Sequence, residues 1–162
     1  MKIYFLRHGL AGDREEWTGD DRLRPLTKEG KQKMAQEAET IAALKLDISW
    51  IVTSPLKRAY QTAEIVARRL DLLDRLVEDE RLAPGGGFPG LQSILEEYAE
   101  AQGLMLAGHE PDFSGAITAL IGGGKVVCKK GSLARVDITS TEPLLGELVW
   151  LLPPKLLAEK VH

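Results

Sequence analysis

Cys128 is the only cysteine in 162 residues, so no intrachain disulfide can form and nothing in the sequence points to an oxidising compartment. On its own, Cys128 reads as a small buried hydrophobe. Long apolar runs are missing too. None approaches the ~20 residues of a membrane span, and the N-terminus has a single Lys and no signal-peptide architecture, so the expected location is cytoplasmic, with no membrane partner. An excess of positive charge is also absent. The formal charge of -3 and pI near 5.7 argue against a nucleic-acid partner, which would call for a basic face, and they require any anion site to be local. Hydrophobic residues at 44% and charged residues at 28% are ordinary for a globular chain, which excludes a disordered or fibrous class. The length fits one domain, residues 1–162, able to bury roughly 70% of the surface its unfolded form exposes.

What is present begins with Lys2-Ile3-Tyr4-Phe5-Leu6, a strand rich in aromatic and branched side chains that runs into the polar triplet Arg7-His8-Gly9. A strand that ends in a cation, an imidazole and a glycine presents reactive groups where open α/β sheets bind their ligands. Gly9 would let the backbone turn and approach a ligand closely. Residues 10–26 show no sustained period and read as a loop over that strand tip. Thr27 is the expected cap of an amphipathic helix over 28–44, with Gly30 costing some helicity in its first turn. Residues 49–53 read as a second strand. Ser54-Pro55 reads as a cap followed by proline at the first helical position, and the helix carries Arg58 in its first turn. A short strand is expected at 76–78, a flexible glycine loop at 83–90, and a helix over 91–102 stopped by Gly103. Leu104-Met105-Leu106-Ala107 then repeats the opening device, delivering His109 at its tip, with Pro111 opening a helix to about residue 121. Residues 133–138 and 147–152 read as a paired antiparallel edge, and 153–162 as a short terminal helix or tail in which His162 is solvated or disordered.

Arg7, His8, Arg58 and His109 should therefore gather at one edge of an α/β sheet. Two arginines and two histidines, with no cysteine partner, make a poor metal site, because arginine is not a ligand and repels a cation. They make a good phosphate site, in which guanidinium forks hold nonbridging oxygens and an imidazole in the correct tautomer can attack phosphorus. Taken singly, His8 also reads as a structural histidine and Arg58 as a solvated helix arginine.

Leu6-Arg7-His8-Gly9, the run from Ser54 through Arg58 to Thr62, and Gly108-His109-Glu110-Pro111 resemble, in order and in strand context, the motifs of the histidine phosphatase superfamily, or phosphoglycerate-mutase-like fold. The short chain, Arg24-Pro25-Leu26-Thr27 and Leu82-Ala83-Pro84 resemble its SixA-type phosphohistidine phosphatase branch. The resemblance implies a three-layer α/β/α sandwich whose mostly parallel sheet has an antiparallel edge. It implies that His8 attacks phosphorus and forms a phosphohistidine enzyme that water then releases, with Arg7, Arg58 and His109 binding the phosphoryl oxygens. No metal or other cofactor is implied. The general acid expected from larger relatives falls on Glu80, which also reads as a plain solvated glutamate. The SixA-like branch often lacks a clear acid, a loss that a labile P–N bond would tolerate. Leu10-Ala11-Gly12 departs from the mutases, and without their long insertions the pocket should be shallow, suiting a phosphorylated side chain on a protein surface. The implied partner is a phosphorylated protein, such as a histidine phosphotransfer domain, or a small phosphorylated molecule. A broad phosphomonoesterase and a non-catalytic phosphate-binding module remain alternatives.

Overall fold

In the computed structural model, which describes residues 1–159, the opening apolar run forms strand β1 (Lys2–Arg7) inside a six-stranded sheet. Beside it lie β4 (Gly103–Gly108), then β2 (Trp50–Thr53) and β3 (Leu76–Glu78), all in parallel register. On its other side β5 (Leu133–Thr141) and β6 (Leu144–Leu152) run antiparallel and form a hairpin at the sheet edge. Strand periodicity sorts the side chains into two cores. Tyr4 and Leu6 of β1 pack with Met105 and Ala107 of β4 under α1 (Lys28–Ala43) and α2 (Lys57–Leu70). Ile3 and Phe5 pack with Leu104 and Leu106 under α3 (Gly87–Glu97) and α4 (Asp112–Leu120). The result is the expected three-layer α/β/α arrangement. The short α5 (Pro154–Leu157) seals the α1 side through Leu157 and falls within the expected terminal segment; His162 lies outside the described residues. Among the described residues, no helix is long and apolar enough to cross a membrane.

Local signals explain most of these elements. Thr27 caps α1 as its position suggests, its Oγ1 accepting the Gly30 N–H at 2.9 Å. Several boundaries differ from the sequence reading, among them α3 ending at Glu97 and the β5–β6 hairpin running from Leu133 to Leu152 with longer strands. Helix α2 starts at Lys57, so Ser54 and Pro55 precede it, because Leu56 is extended, with ψ of 133°, and the regular helix begins only after it. The glycine loop is partly helical, since α3 begins at Gly87. Gly103 opens β4 instead of merely ending a helix. A Cβ there would lie 1.5 Å from the Asp47 carbonyl oxygen, so the crossing of the two segments demands glycine.

One buried group on α1 opposes the fold. Glu37 sits on the core-facing side of the helix, its Oε2 has no hydrogen-bond partner among the described residues, and burial raises its pKa from 4.5 to about 8. Between those values the folded chain holds a proton that the unfolded chain releases, so stability falls as pH rises through the window. Glu37→Gln removes this titration. Its melting temperature, compared with that of the parent, is expected to gain between about pH 5 and pH 8 by the equivalent of ~2 kcal/mol, as a raised acid pKa requires. A pH-independent difference would show that Glu37 is not buried in this way.

Candidate active site

The C-terminal ends of β1, β2 and β4 lie side by side, and the chain after each supplies one part of a cleft of about 660 Å³. Arg7 ends β1, and His8 follows it with its backbone N–H donating to the Gly108 carbonyl at 3.1 Å. That bond ties the β1 tip to the β4 tip, where His109 follows directly, and it brings the two imidazole centroids to 5.3 Å. Arg58 enters from the first turn of α2, with His8, Arg58 and His109 all buried. The structure therefore brings together all four residues singled out from the sequence, and Arg58 is no solvated helix arginine.

Each side chain is held by specific bonds. His8 Nδ1 lies 2.8 Å from the Gly9 carbonyl, an acceptor, so Nδ1 carries the proton and Nε2 keeps its lone pair. Gly9 itself has no positive φ. Its missing side chain leaves room for Met34, whose Cγ would stand 2.8 Å from a Cβ, and this packing replaces the sharp turn expected from the sequence. Arg7 donates from Nη1 to the Cys128 carbonyl at 2.8 Å. Arg58 donates to the Asp21 carbonyl at 2.9 Å and to Asp21 Oδ2 at 3.1 Å. Arg24 also binds Asp21, so one carboxylate aligns two guanidinium groups, and the Arg24 hydrogen bond is the largest influence holding the Asp21 carboxyl below its usual range. Arg7 Nε, Arg58 Nε and His109 Nδ1 are buried with no hydrogen-bond partner among the described residues. Buried donors are normally paired, so three orphans from three elements on one cleft suit the oxygens of an anion.

Burial, reinforced by the charges of Arg7 and Arg58, lowers the pKa of His8 to about 3 and that of His109 to about 4. Both rings are neutral at physiological pH, the state a nucleophilic imidazole requires. Cys128 is buried as expected, and burial pushes its thiol up to about 11.

Several positioning residues escaped the sequence reading. Thr62 accepts the Gly9 N–H at 3.0 Å and donates to the Arg58 carbonyl at 2.8 Å, joining the β1 loop to α2; its spacing of four from Arg58 was the available signal. Gly131, with φ of 82°, donates its N–H to the carbonyls of Arg7 and His8 from a distant loop, and no local pattern marks it. Ser54 Oγ accepts the Leu56 N–H at 3.2 Å and lies 2.7 Å from His109 Nε2. With that hydroxyl donating to Nε2, the His109 proton sits on Nδ1, the orphan donor. Ser54→Ala frees the tautomer and is expected to lower kcat about tenfold, with a loss of about 1–3 kcal/mol in stability because the hydroxyl's two buried hydrogen bonds go with it. Unchanged kcat would show that the tautomer is set elsewhere.

Glu80 is not brought to the cleft. It begins a single 3-10 turn (Glu80–Leu82), its side chain is 71% exposed, and it pairs with Arg22. The carboxylates that line the cleft are Asp13, Asp21 and Glu110 instead. Glu80 is thus absent from the lining of the cleft, which contains three other carboxylates.

The family model of the histidine phosphatase superfamily (branch 1) matches residues 3–115. An uncharacterised protein of Picosynechococcus sp. is 40% identical over 114 residues, covering 69% of this chain and 68% of that one. The 8-oxo-(d)GTP phosphatase of Mycolicibacterium smegmatis is 35% identical over 71 residues, 44% of this chain, and the match covers 21% of that longer protein. The structure of the protein histidine phosphatase SixA complexed with tungstate superposes with a TM-score of 0.86 over 97% of this chain and 99% of that one, at 24% identity, which shows the shared fold. The chain belongs to the histidine phosphatase superfamily, and its class of activity is that of a phosphatase.

Proposed function

We propose that this member of the histidine phosphatase superfamily hydrolyses phosphohistidine, or a similarly exposed phosphoryl group on a protein, through a covalent intermediate on His8 and without a metal ion. The observation that carries the reading is the pairing of a free Nε2 lone pair on His8 with three orphan donors around it. His8 Nε2 attacks phosphorus as the bond to the leaving group breaks, and the leaving group takes a proton from water. Arg7 Nε, Arg58 Nε and His109 Nδ1 hold the nonbridging oxygens, whose charge they meet most strongly in the transition state. Water then attacks the phosphoimidazole and returns His8. Asp21 is ionised by its two arginines and cannot serve as the acid. With Glu80 outside the cleft lining, Asp13 and Glu110 are the remaining carboxylates that could assist, and a labile phosphoramidate needs the least such help to leave, which favours phosphohistidine over a phosphate ester. The fold shared along nearly the whole length of SixA supports the same substrate class.

A second reading, a phosphomonoesterase acting on small phosphorylated metabolites, draws support from the cleft volume of about 660 Å³, within the range of small-ligand sites, and from the likeness to a nucleotide phosphatase. A substrate panel separates the two. The expected kcat/KM on a phosphohistidine peptide exceeds that on sugar phosphates and nucleotides by at least ~100-fold, about 2.7 kcal/mol of transition-state preference. The reverse order would establish the metabolite reading.

A further inference from the structure

The cleft contains more positive charge than the phosphoryl clamp uses. Five cations line it, Arg7, Arg14, Arg24, Arg58 and Lys130, against the carboxylates of Asp13, Asp21 and Glu110, in a chain whose net charge is -3. Three of the cations are committed within the protein: Arg7 to the Cys128 carbonyl, Arg24 to Asp21 and the Gly12 carbonyl, and Arg58 to Asp21. Arg14 and Lys130 make no ion pair or side-chain hydrogen bond among the described residues. Both are exposed, on separate loops, Arg14 after β1 and Lys130 between α4 and β5. Arg14 stands close enough to Arg58 for its charge to weigh on that guanidinium, whose own partner is Asp21. Among the described residues no cleft acid pairs with Arg14 or Lys130. Asp21 is taken by two arginines, Glu110 Oε1 accepts the Ser114 N–H, and Asp13 Oδ1 accepts the Glu15 N–H. The segment that carries Lys130 also carries Lys125 and Lys129, both exposed, and no acidic residue occurs between Asp112 and Asp137. A cleft of about 660 Å³ is also far larger than one phosphoryl group.

We propose that Arg14 and Lys130 form a second anion-binding position on the rim of the cleft, so that the favoured substrate carries a further acidic group, a carboxylate or another phosphate, beside the phosphoryl that is transferred. The proposal rests on the phosphatase reading and narrows its substrate class. A second acid on the substrate relieves the repulsion around Arg58 and gives both rim cations charge-assisted partners. That acid can belong to a residue flanking a phosphohistidine or to a small molecule, and the test distinguishes the two.

Matched donors differ only in the second acid: a phosphohistidine peptide with flanking Asp and Glu against its Asn and Gln counterpart, and carboxyphenyl phosphate against phenyl phosphate. The readout is the ratio of kcat/KM within each pair, for the parent and for Arg14→Gln/Lys130→Gln. The parent ratio is expected to be about ten or more in at least one pair, shrinking at high salt, and to fall toward one in the double variant, since two exposed charge-assisted contacts supply about that much. Arg14→Lys/Lys130→Arg should keep most of it. A fall in the peptide pair assigns the acid to a protein substrate, and a fall in the ester pair assigns it to a metabolite. A parent ratio near one in both pairs, or a ratio that survives the double variant, overturns the proposal. Turnover of the esters alone overturns the phosphohistidine reading while the ester pair still decides the rim. Should no donor react, the affinity ratio of pyrophosphate to phosphate, measured by calorimetry in both proteins, decides it by the same criterion.

Discussion

Replacing His8 with alanine is expected to cut turnover at least ~1000-fold while the chain still folds, because the substitution removes the nucleophile and catalytic groups that act as a unit fail together. The fold should survive. His8 sits beyond the end of β1, outside both apolar clusters, and its one side-chain hydrogen bond, to the Gly9 carbonyl, contributes about 1 kcal/mol. A pH series adds an independent readout. Burial lowers the pKa of His8 to about 3 from 6.5, so the unfolded chain binds a proton in that window that the folded chain refuses. Stability that is present above pH 6.5 is therefore lost progressively as pH falls toward 3, and His8→Ala abolishes that share of the loss. The melting temperature of the variant relative to the parent should improve between about pH 7 and pH 5. Turnover within tenfold of the parent would remove His8 from the reaction. A melting difference that ignores pH would show that the imidazole is not held neutral by burial.

Arg58→Ala is expected to lower kcat/KM about 100-fold or more, on the order of 3 kcal/mol, the cost of losing one preorganised donor to a developing oxyanion. The two hydrogen bonds from Arg58 to Asp21 fix the guanidinium before substrate arrives, so on the proposed reading Nε is a preorganised donor to the phosphoryl group. Arg58→Lys should recover little, because an ammonium on a flexible stem cannot keep Asp21 and also present the Nε donor. Asp21 retains Arg24 in either variant, so destabilisation should stay modest, near 1 kcal/mol. Kinetics and melting curves for both variants separate the outcomes. Near-normal kcat/KM with a large drop in melting temperature would make Arg58 a structural buttress of the segment around Asp21.

The four central side chains were legible because each follows a signal that survives folding: an apolar strand that stops at a charged or imidazole residue, or the first turn of an amphipathic helix. Sheet periodicity alone then carries Arg7, His8 and His109 to one edge, and the crossover after β2 carries Arg58 there. Their orientation was not legible. Asp21 reaches Arg58 across 37 residues, Ser54 reaches His109 across 55, and the Cys128 carbonyl reaches Arg7 across 121, separations at which no local pattern exists. The Ser54 reading was incomplete for that reason. The serine before proline does take the Leu56 N–H as a local cap would, but the same hydroxyl meets His109, and the regular helix begins at Lys57. Glu80 was placed by analogy of position, and the structure puts it at an exposed turn, paired with Arg22 and outside the lining of the cleft. Gly103 ends a helical pattern in sequence, yet the close pass of the Asp47 carbonyl is what requires glycine there.

The central claim is a covalent phosphoryl group on His8, and rapid mixing with a labelled phosphoryl donor, followed by alkaline quench and peptide mapping, tests it most directly. The expected result is a label that appears within one turnover, survives base, is lost in acid as a phosphoramidate is, maps to the peptide containing His8, and is absent from His8→Ala. Steady-state hydrolysis by the parent with no label on any histidine would contradict the account, since water would then attack the substrate directly and the Nε2 lone pair would have no role as nucleophile.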